Sequence, residues 1–350
     1  MPTNILIYGA NGYTAELIVN LAVEEGLKPI LAGRTLSKIE PLAKRFSLPF
    51  RVFGLDDANS VADNLTDVAV VLNCAGPFTR TARTMAQGCI QAGAHYLDIT
   101  GEVEVFELLA KMGTKAQASG VMLMPGVGFD VVPSDCLAAH LKSRMPDAVS
   151  LTLAFQAFSR PSHGTATTMI ENMHRGGLVR RAGKLNPVPS GWATREIDFG
   201  KGPVKAMSIP WGDVSTAWVS TSIPDIQVFM AAPLGMRVMS KASRYLGWLM
   251  GTEGVINFFK KKIDAGPPGP NAEQRRRGAS HFWGEVRNAA GQTMSARLDT
   301  MEGYALTALT AWDIAKRTID GQAQPGFHTP SQVFGADYIL GFAGSKRVDL

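Results

Sequence analysis

Seven residues near the start of the chain, Gly9-Ala10-Asn11-Gly12-Tyr13-Thr14-Ala15, have the types and spacing needed to hold a diphosphate. They follow a compact apolar run, Asn4–Tyr8, and lead into Thr14–Glu25, whose apolar residues recur at helical spacing until Gly26. A chain that turns sharply from strand to helix needs backbone freedom, which Gly9 supplies. Gly12 lets the backbone approach a ligand, and Ala15 is small enough for the helix to pack on the strand. The N–H groups at the helix start then face an anion. The pattern is G-x-x-G-x-x-A rather than the strict G-x-G-x-x-G, and its weight comes from its place in a strand–turn–helix. At the end of the second strand, Gly33-Arg34-Thr35 stands where a site for an unphosphorylated ribose carries a carboxylate. Arginine cannot accept a hydrogen bond from a hydroxyl but grips a phosphate, and Thr35, Ser37 and Lys38 add donors. These residues point to NADP(H) rather than NAD. Asp56, after the third strand, either approaches the adenine or caps the helix that follows.

Other residues able to do chemistry sit at later strand ends. Cys74-Ala75-Gly76-Pro77, with Phe78, follows the fourth strand, where a nicotinamide ring would lie. There glycine permits close approach, proline fixes the turn and phenylalanine excludes water. Asp98, Thr100 and Glu102 follow the fifth strand. Glu102 is either a general acid, if desolvation raises its pKa, or a cap for a helix beginning near Val103. Asp130, in Gly128-Phe129-Asp130, orients substrate or braces a turn. His163, in Ser162-His163-Gly164-Thr165 ahead of a helix expected over Thr167–His174, is the first choice for a proton donor, and Tyr304 the second. The bland alternatives are a surface histidine and a packing tyrosine. No Ser-x-x-x-Lys dyad with a tyrosine base is present. The three cysteines, Cys74, Cys89 and Cys136, form neither a CxxC nor a Cys/His pattern, so no metal site is expected.

The elements that must place these residues alternate strand and helix. Strands are expected at Asn4–Tyr8, Pro29–Ala32, Phe50–Phe53, Val68–Leu72, His95–Ile99 and Val121–Met124. Helices are expected at Thr14–Glu25, Leu36–Phe46, Ala58–Leu65, Thr81–Ala92 and Val103–Ala118. Val68–Leu72 is a continuous β-branched run, as in a strand covered on both faces. Such alternation predicts a doubly wound α/β sheet of order 3-2-1-4-5-6, with the loops Gly9–Thr14 and Asn73–Phe78 at its switch point. After Pro125 the pattern becomes α+β with an antiparallel sheet. Its strands are expected at Ser150–Phe158, Ile197–Phe199, Val204–Ile209, Ala217–Ser222 and Ile226–Met230, with a hairpin over His281–Asp299. The expected division is a Rossmann domain over 1–128, an α+β substrate or dimerisation domain over 129–303, and a helix and tail over 304–350 that can pack back on the first domain.

Taken together these motifs resemble the saccharopine dehydrogenase-like family, and within it the trans-acting enoyl reductases. The resemblance rests on G-A-N-G-Y-T-A at 9–15, G-R at 33–34, N-C-A-G-P-F at 73–78, Y-L-D-I-T-G-E at 96–102 and G-F-D-V-V-P-S-D at 128–135. It continues through S-H-G-T at 162–165, G-D-V-S-T-A at 212–217, E-G-Y at 302–304 and T-P-S-Q-V-F-G at 329–335. It implies an NAD(P)-binding Rossmann lobe beside a lobe built on an antiparallel sheet, and an oxidoreductase reducing a C=C or C=N bond of a hydrophobic or acyl-type small molecule. Saccharopine-type imine chemistry and a non-catalytic NADPH-binding or lipid-associated module are the alternatives. An imine substrate with two carboxylates calls for arginines, for which Arg175, Arg180 and Arg181 are candidates.

Composition sets the outer bounds. A chain of 350 residues, 45% hydrophobic and 19% charged, suits a globular enzyme of two domains. The net charge of +5 is mild; the basic runs Lys260–Lys262 and Arg275–Arg277 carry no nucleic-acid motif with them, so no nucleic-acid partner is expected. Met-Pro-Thr-Asn runs straight into a strand without the basic and apolar stretches of a signal peptide, and no segment is long and apolar enough to span a membrane. The expected compartment is the cytoplasm. The stretch Phe229–Phe259 concentrates Met230, Met236, Met239, Leu246, Trp248, Leu249, Met250, Phe258 and Phe259. It is an acyl-chain wall, a peripheral membrane contact, ordinary core or the interface of a homodimer.

Overall fold

A computed structural model describes residues 3–157, 160–172, 176–241 and 252–350. The chain divides into two compact units. The first comprises Met1–Val132 with Tyr304–Val333, the second Pro133–Gly303 with Phe334–Leu350.

The first unit is a parallel sheet covered by helices. Its strands are β1 (Asn4–Tyr8), β2 (Ile30–Gly33), β3 (Phe50–Val52), β4 (Val68–Asn73), β5 (His95–Asp98) and β6 (Met122–Met124). Between them run α1 (Tyr13–Glu24), α2 (Leu36–Phe46), α3 (Ala58–Asp63), α4 (Phe78–Ala92), α5 (Val103–Ala110) and α6 (Gly113–Ala118). The strand order reproduces the 3-2-1-4-5-6 arrangement read from the sequence and adds a seventh strand, Gly326–Phe327, beside β6. β4 is buried along almost its whole length, as its unbroken apolar run requires. Leu6, Val71, Met85, Tyr96 and Leu109 are among the residues that fill the core between sheet and helices. Two helices differ from expectation. α4 begins three residues earlier, at Phe78, because Pro77 takes its N-cap position with its φ at −65°. The helix expected over Val103–Ala118 is broken into α5 and α6, and Gly113, which opens α6, leaves room for Phe327 of the seventh strand.

The helix Gly303–Arg317 also belongs to the first unit. Its Trp312 Nε1 donates to Glu25 (2.9 Å), and Lys316 lies 2.8 Å from the same carboxylate. Near its start, Thr307 Oγ1 accepts from the Phe129 N–H (3.0 Å) and Thr310 Oγ1 donates to the Val127 carbonyl (2.8 Å). A side chain at Gly128 would strike Thr307 at 2.7 Å, so a glycine is what lets this loop lie against the helix.

The second unit holds a nine-stranded sheet, ordered β10-β11-β12-β7-β13-β14-β16, with the β8–β9 hairpin attached through β12. These strands are β7 (Ala148–Ala157), β8 (Gly177–Arg181), β9 (Lys184–Val188), β10 (Thr194–Asp198), β11 (Pro203–Ser208), β12 (Asp225–Ala231), β13 (Ala279–Asn288), β14 (Thr293–Met301) and β16 (Lys346–Asp349), the short Gly326–Phe327 strand being β15. The sheet is mixed rather than wholly antiparallel, since β12 runs parallel to β7. The hairpin expected over His281–Asp299 is present as β13 and β14. The strand expected at Ala217–Ser222 is instead the end of a helix, α9 (Asp213–Thr221); its β-branched residues read as strand in isolation, yet packing on β8 and β12 makes the turn of helix the buried form. α7 (Val132–Arg144) and α8 (His163–Asn172) complete the helices needed below.

Candidate dinucleotide site and the acids around it

The turn from β1 to α1 has the form its residues require. Gly9 lies at φ +75°, and a Cβ there would come within 2.9 Å of Ala75. Only glycine tolerates both conditions. The turn is closed by Gly9 and Ala10 N–H groups donating to the Ala32 carbonyl (2.8 and 3.2 Å) and by Gly12 N–H donating to Gly9 O (2.9 Å). Gly12 is the N-cap of α1, and glycine brings no side-chain acceptor to the first-turn N–H groups. Ala15 is buried, while the one carboxylate of that turn, Glu16, is turned to Arg45 at 2.6 Å. The result is a concave backbone surface with an open helix start, the geometry that accepts a diphosphate. Asn11, Tyr13 and Thr14 stand at its edge, exposed or half-buried.

Arg34 follows β2 and is exposed, as are Ser37 and Lys38; Thr35 occupies the N-cap of α2 without a side-chain cap bond. Burial pushes the Tyr8 hydroxyl, which donates to Phe53 O (2.9 Å), up to about 12; the charge of Arg34 opposes that rise and the charge of Asp56 adds to it. Arg34 and Asp56 therefore both act on one phenol at the C-terminal end of β1. The cap of α3 is Asp57, which accepts from Ser60 N–H at 2.9 Å, so the capping alternative for Asp56 is set aside. Asp56 instead folds over Gly54, where a Cβ would lie 2.7 Å from its Oδ2.

Behind the glycine turn a buried polar chain ties together the loops after β4, β5 and β6. Asn73 donates to Thr81 Oγ1 (3.2 Å) and to the Tyr96 hydroxyl (3.3 Å), and accepts from Ala75 N–H (3.1 Å). Thr81 donates to Ala75 O (2.7 Å). Tyr96 donates to Asp98 (2.7 Å), whose other oxygen accepts from the N–H groups of Thr100 (3.0 Å) and Gly126 (2.9 Å). Burial raises the Asp98 carboxyl to about 6, with hydrogen bonds from Thr100, Tyr96 and Gly126 pulling the other way. Asp98 is thus a brace that fixes three loops. Asn73 lies in the loop expected at the switch point and Tyr96 opens the Y-L-D-I-T-G-E motif, but neither their bond to each other nor the part of Thr81 is signalled by composition or spacing. Burial pushes the thiols of Cys74 and Cys89 well above their ordinary range, as expected of small apolar fillers.

Glu102 departs from the expectation that it caps the helix near Val103. Its side chain makes no cap bond to α5. It reaches back to the start of α4 and accepts from Phe78 N–H (2.8 Å) and Thr79 N–H (3.1 Å). It thereby fixes the Gly76-Pro77-Phe78 segment, which holds a cis peptide between Gly76 and Pro77. Beside it stands Asp130, whose Oδ2 lies 2.6 Å from where a Cβ of Gly101 would be. Asp130 is half-buried, and burial first, then the Glu102 charge, raises its carboxyl to about 7. Tyr304, at the start of the helix Gly303–Arg317, meets Tyr13 edge to face at 5.2 Å. The first unit therefore brings Tyr304 to the glycine turn, and Asp130 to Glu102 and the β5 loop.

His163 lies in the second unit, where its Nε2 is 3.0 Å from Gly266 O and its N–H donates to Pro268 O (3.1 Å). It opens α8 rather than preceding it, and it pins the loop over 265–271. Arg180 is buried, donating to Val214 and Gly183 carbonyls and lying 5.5 Å from the Trp218 ring; Arg181 lies over Trp192. Arg175, Leu246, Trp248, Leu249 and Met250 lie outside the described residues. Of the apolar stretch, Phe229 is core, whereas Leu234, Val238, Met239 and Phe258 are exposed. Among the described residues no cluster of three His, Cys, Asp or Glu could hold a metal ion, and no helix is long and apolar enough to cross a membrane.

Residues 5–124 match the family described as saccharopine dehydrogenase NADP binding domain. The chain is 26% identical over 174 residues to the human saccharopine dehydrogenase-like oxidoreductase, covering 44% of this chain and 41% of that one. It thus matches about half or less of the length of the first such relatives. It is 25% identical over 272 residues to the trans-acting enoyl reductase of Mycobacterium ulcerans, covering 71% of this chain and 63% of that one. In fold it resembles the apo saccharopine dehydrogenase (L-Glu forming) of Saccharomyces cerevisiae, with a TM-score of 0.65 at 13% identity over 99% of this chain and all of that one.

Proposed function

We propose that this chain, whose residues 5–124 match the saccharopine dehydrogenase NADP binding domain and which is similar to saccharopine dehydrogenase-like oxidoreductases, is an NADP(H)-dependent reductase of a C=C or C=N bond in a hydrophobic or acyl-type small molecule. The observation that carries the cofactor assignment is Arg34. It stands exposed at the end of β2, with Thr35, Ser37 and Lys38 beside it and no carboxylate at the position that would receive a ribose hydroxyl. The glycine turn fits a diphosphate, because a side chain at Gly9 would close it against Ala75. When bound, the nicotinamide supplies the hydride; this chain's residues orient, exclude water and hold a proton.

In this reading Gly9–Ala15 receives the diphosphate, Arg34 the 2′-phosphate, and Cys74-Ala75-Gly76-Pro77 the nicotinamide side. Glu102 acts as a positioning residue by fixing Phe78. Asp130 keeps its proton near neutral pH and is the acid best suited to protonate a reduced substrate, with Tyr304 beside Tyr13 as the second donor. The bond of His163 to Gly266 supports an anchoring role for that residue. Arg180, engaged by two backbone carbonyls, and Arg181, stacked on Trp192, lend no support to the imine reading. The test is titration of pure protein with NADPH and NADH, read by cofactor fluorescence, for the native chain and Arg34→Asp. The native chain should prefer NADPH, and the variant should lose that preference by about 10-fold or more, the worth of one charge-assisted pair. Failure of both cofactors to bind would remove the enzyme reading.

A further inference from the structure

The second unit carries a cavity that the dinucleotide chemistry does not use. Its volume is about 410 Å³. One wall is the β10–β11 pair, in which Glu196 and Lys205 stand directly opposite each other. The other wall is the helical stretch 234–241, which offers Leu234, Arg237, Val238 and Lys241. That stretch is held to the turn before β10 by a 2.8 Å hydrogen bond between Ser190 and Ser240.

Charge is unbalanced there. Arg195 borders the cavity, but its guanidinium is committed to Glu285 (3.0 Å) and lies over the Trp283 ring at 4.7 Å. Strand alternation puts Glu196 and Lys205 on the opposite side from it. Three cations, Lys205, Arg237 and Lys241, then face one carboxylate, Glu196. The Nε–H of Arg237 is buried and makes no hydrogen bond among the described residues. A buried donor left without an acceptor is unfavourable, and the charge of its guanidinium is one that an anion in the cavity would offset. Beside the cations, Leu234 and Val238 are 67% and 57% exposed. They are one helical turn apart on the same face as Lys241 and Arg237, so apolar and cationic side chains line the cavity together.

We propose that this cavity binds a phosphate ester carried on an apolar chain, with Arg237 and Lys241 taking the phosphate and Leu234 and Val238 the first part of the chain. The proposal does not depend on the reductase reading, because every residue in it belongs to the second unit. The test is calorimetric titration of the full chain with dodecyl phosphate below its micelle concentration, beside inorganic phosphate and dodecyl trimethylammonium. Dodecyl phosphate should bind with one-to-one stoichiometry and at least 10-fold more tightly than inorganic phosphate, and the ammonium should not bind. Arg237→Gln with Lys241→Gln should weaken dodecyl phosphate at least 10-fold. Leu234→Ser should weaken dodecyl phosphate but leave inorganic phosphate unchanged, and Lys28→Gln, a surface lysine of the first unit, should change neither. Circular dichroism confirms that each variant is folded. Co-sedimentation with phosphatidic-acid vesicles identifies the source: binding to vesicles and to dodecyl phosphate supports a headgroup read at a lipid surface, and binding to dodecyl phosphate alone supports a soluble ligand. Equal affinity for the two phosphates, undiminished binding by the double variant, or no binding at all overturns the proposal.

Discussion

Asp130 is the residue on which the proposed proton transfer turns. If it is the acid, turnover of a 2-enoyl ester probe should fall as pH rises through about 7, the value to which burial and Glu102 bring its carboxyl. Asp130→Asn should lower kcat by about 10²- to 10⁴-fold, the usual worth of a positioned acid, and should remove that limb of the pH profile. The same shift has a consequence for stability. A carboxyl that titrates near 7 in the fold and near 4 when unfolded holds its proton more tightly when folded. Its contribution is present below the unfolded pKa and lost as pH rises through about 7. Asp98, raised to about 6, acts in the same direction. Thermal midpoints should therefore decline between about pH 4 and pH 7 from these two groups, and the decline should be shallower in Asp130→Asn; an unchanged slope would show that the shift is absent. At this scale the sequence was informative where one residue type has one physical use. Gly9 and Gly12 lie in the turn from β1 to α1 and Arg34 follows β2, because a tight turn demands glycine and the strand ends are legible as punctuation. Glu102, Asp56 and His163 were ambiguous, because a carboxylate or imidazole near a helix start serves equally as cap, anchor or acid. Only the partner atoms distinguish these, and Glu102 found its partners 23 and 24 residues away.

At the scale of elements, Glu102 ties the start of α5 to the start of α4. Its carboxylate meets the first two N–H groups of α4, where a negative charge is favoured. Glu102→Gln keeps the shape but removes the charge. Urea unfolding should show a loss of about 1 kcal/mol, typical of a helix cap, and the pH limit of turnover should move down because Asp130 loses a neighbouring negative charge. A limit that stays in place would mean that Glu102 does not act on Asp130. The parallel sheet was legible because its central strands are continuous apolar runs and its helices end at Gly26 and Gly93, both at positive φ. The second sheet was less so. α9 is rich in Val, Ser and Thr and reads as a strand until the surface it packs on is known. The parallel β7–β12 pair joins strands with much of the unit between them, a pairing that local periodicity does not encode.

For the whole molecule, neither unit is a continuous segment of chain. The first needs the helix Gly303–Arg317 to occupy Thr307 and Thr310 against Phe129 and Val127, and needs β15 to cover the edge of β6. A fragment of residues 1–132 should therefore be poorly soluble, whereas the same fragment joined by a short flexible linker to residues 303–333 should fold and bind NADPH, measured by cofactor fluorescence. A soluble, NADPH-binding 1–132 fragment would refute this dependence. The arrangement also sets an order of events on the ribosome. Roughly 200 residues separate β6 from β15, so at about 5–20 residues per second the nascent sheet waits ~10–40 s with one edge unpaired, and that interval is when a chaperone would have most to protect.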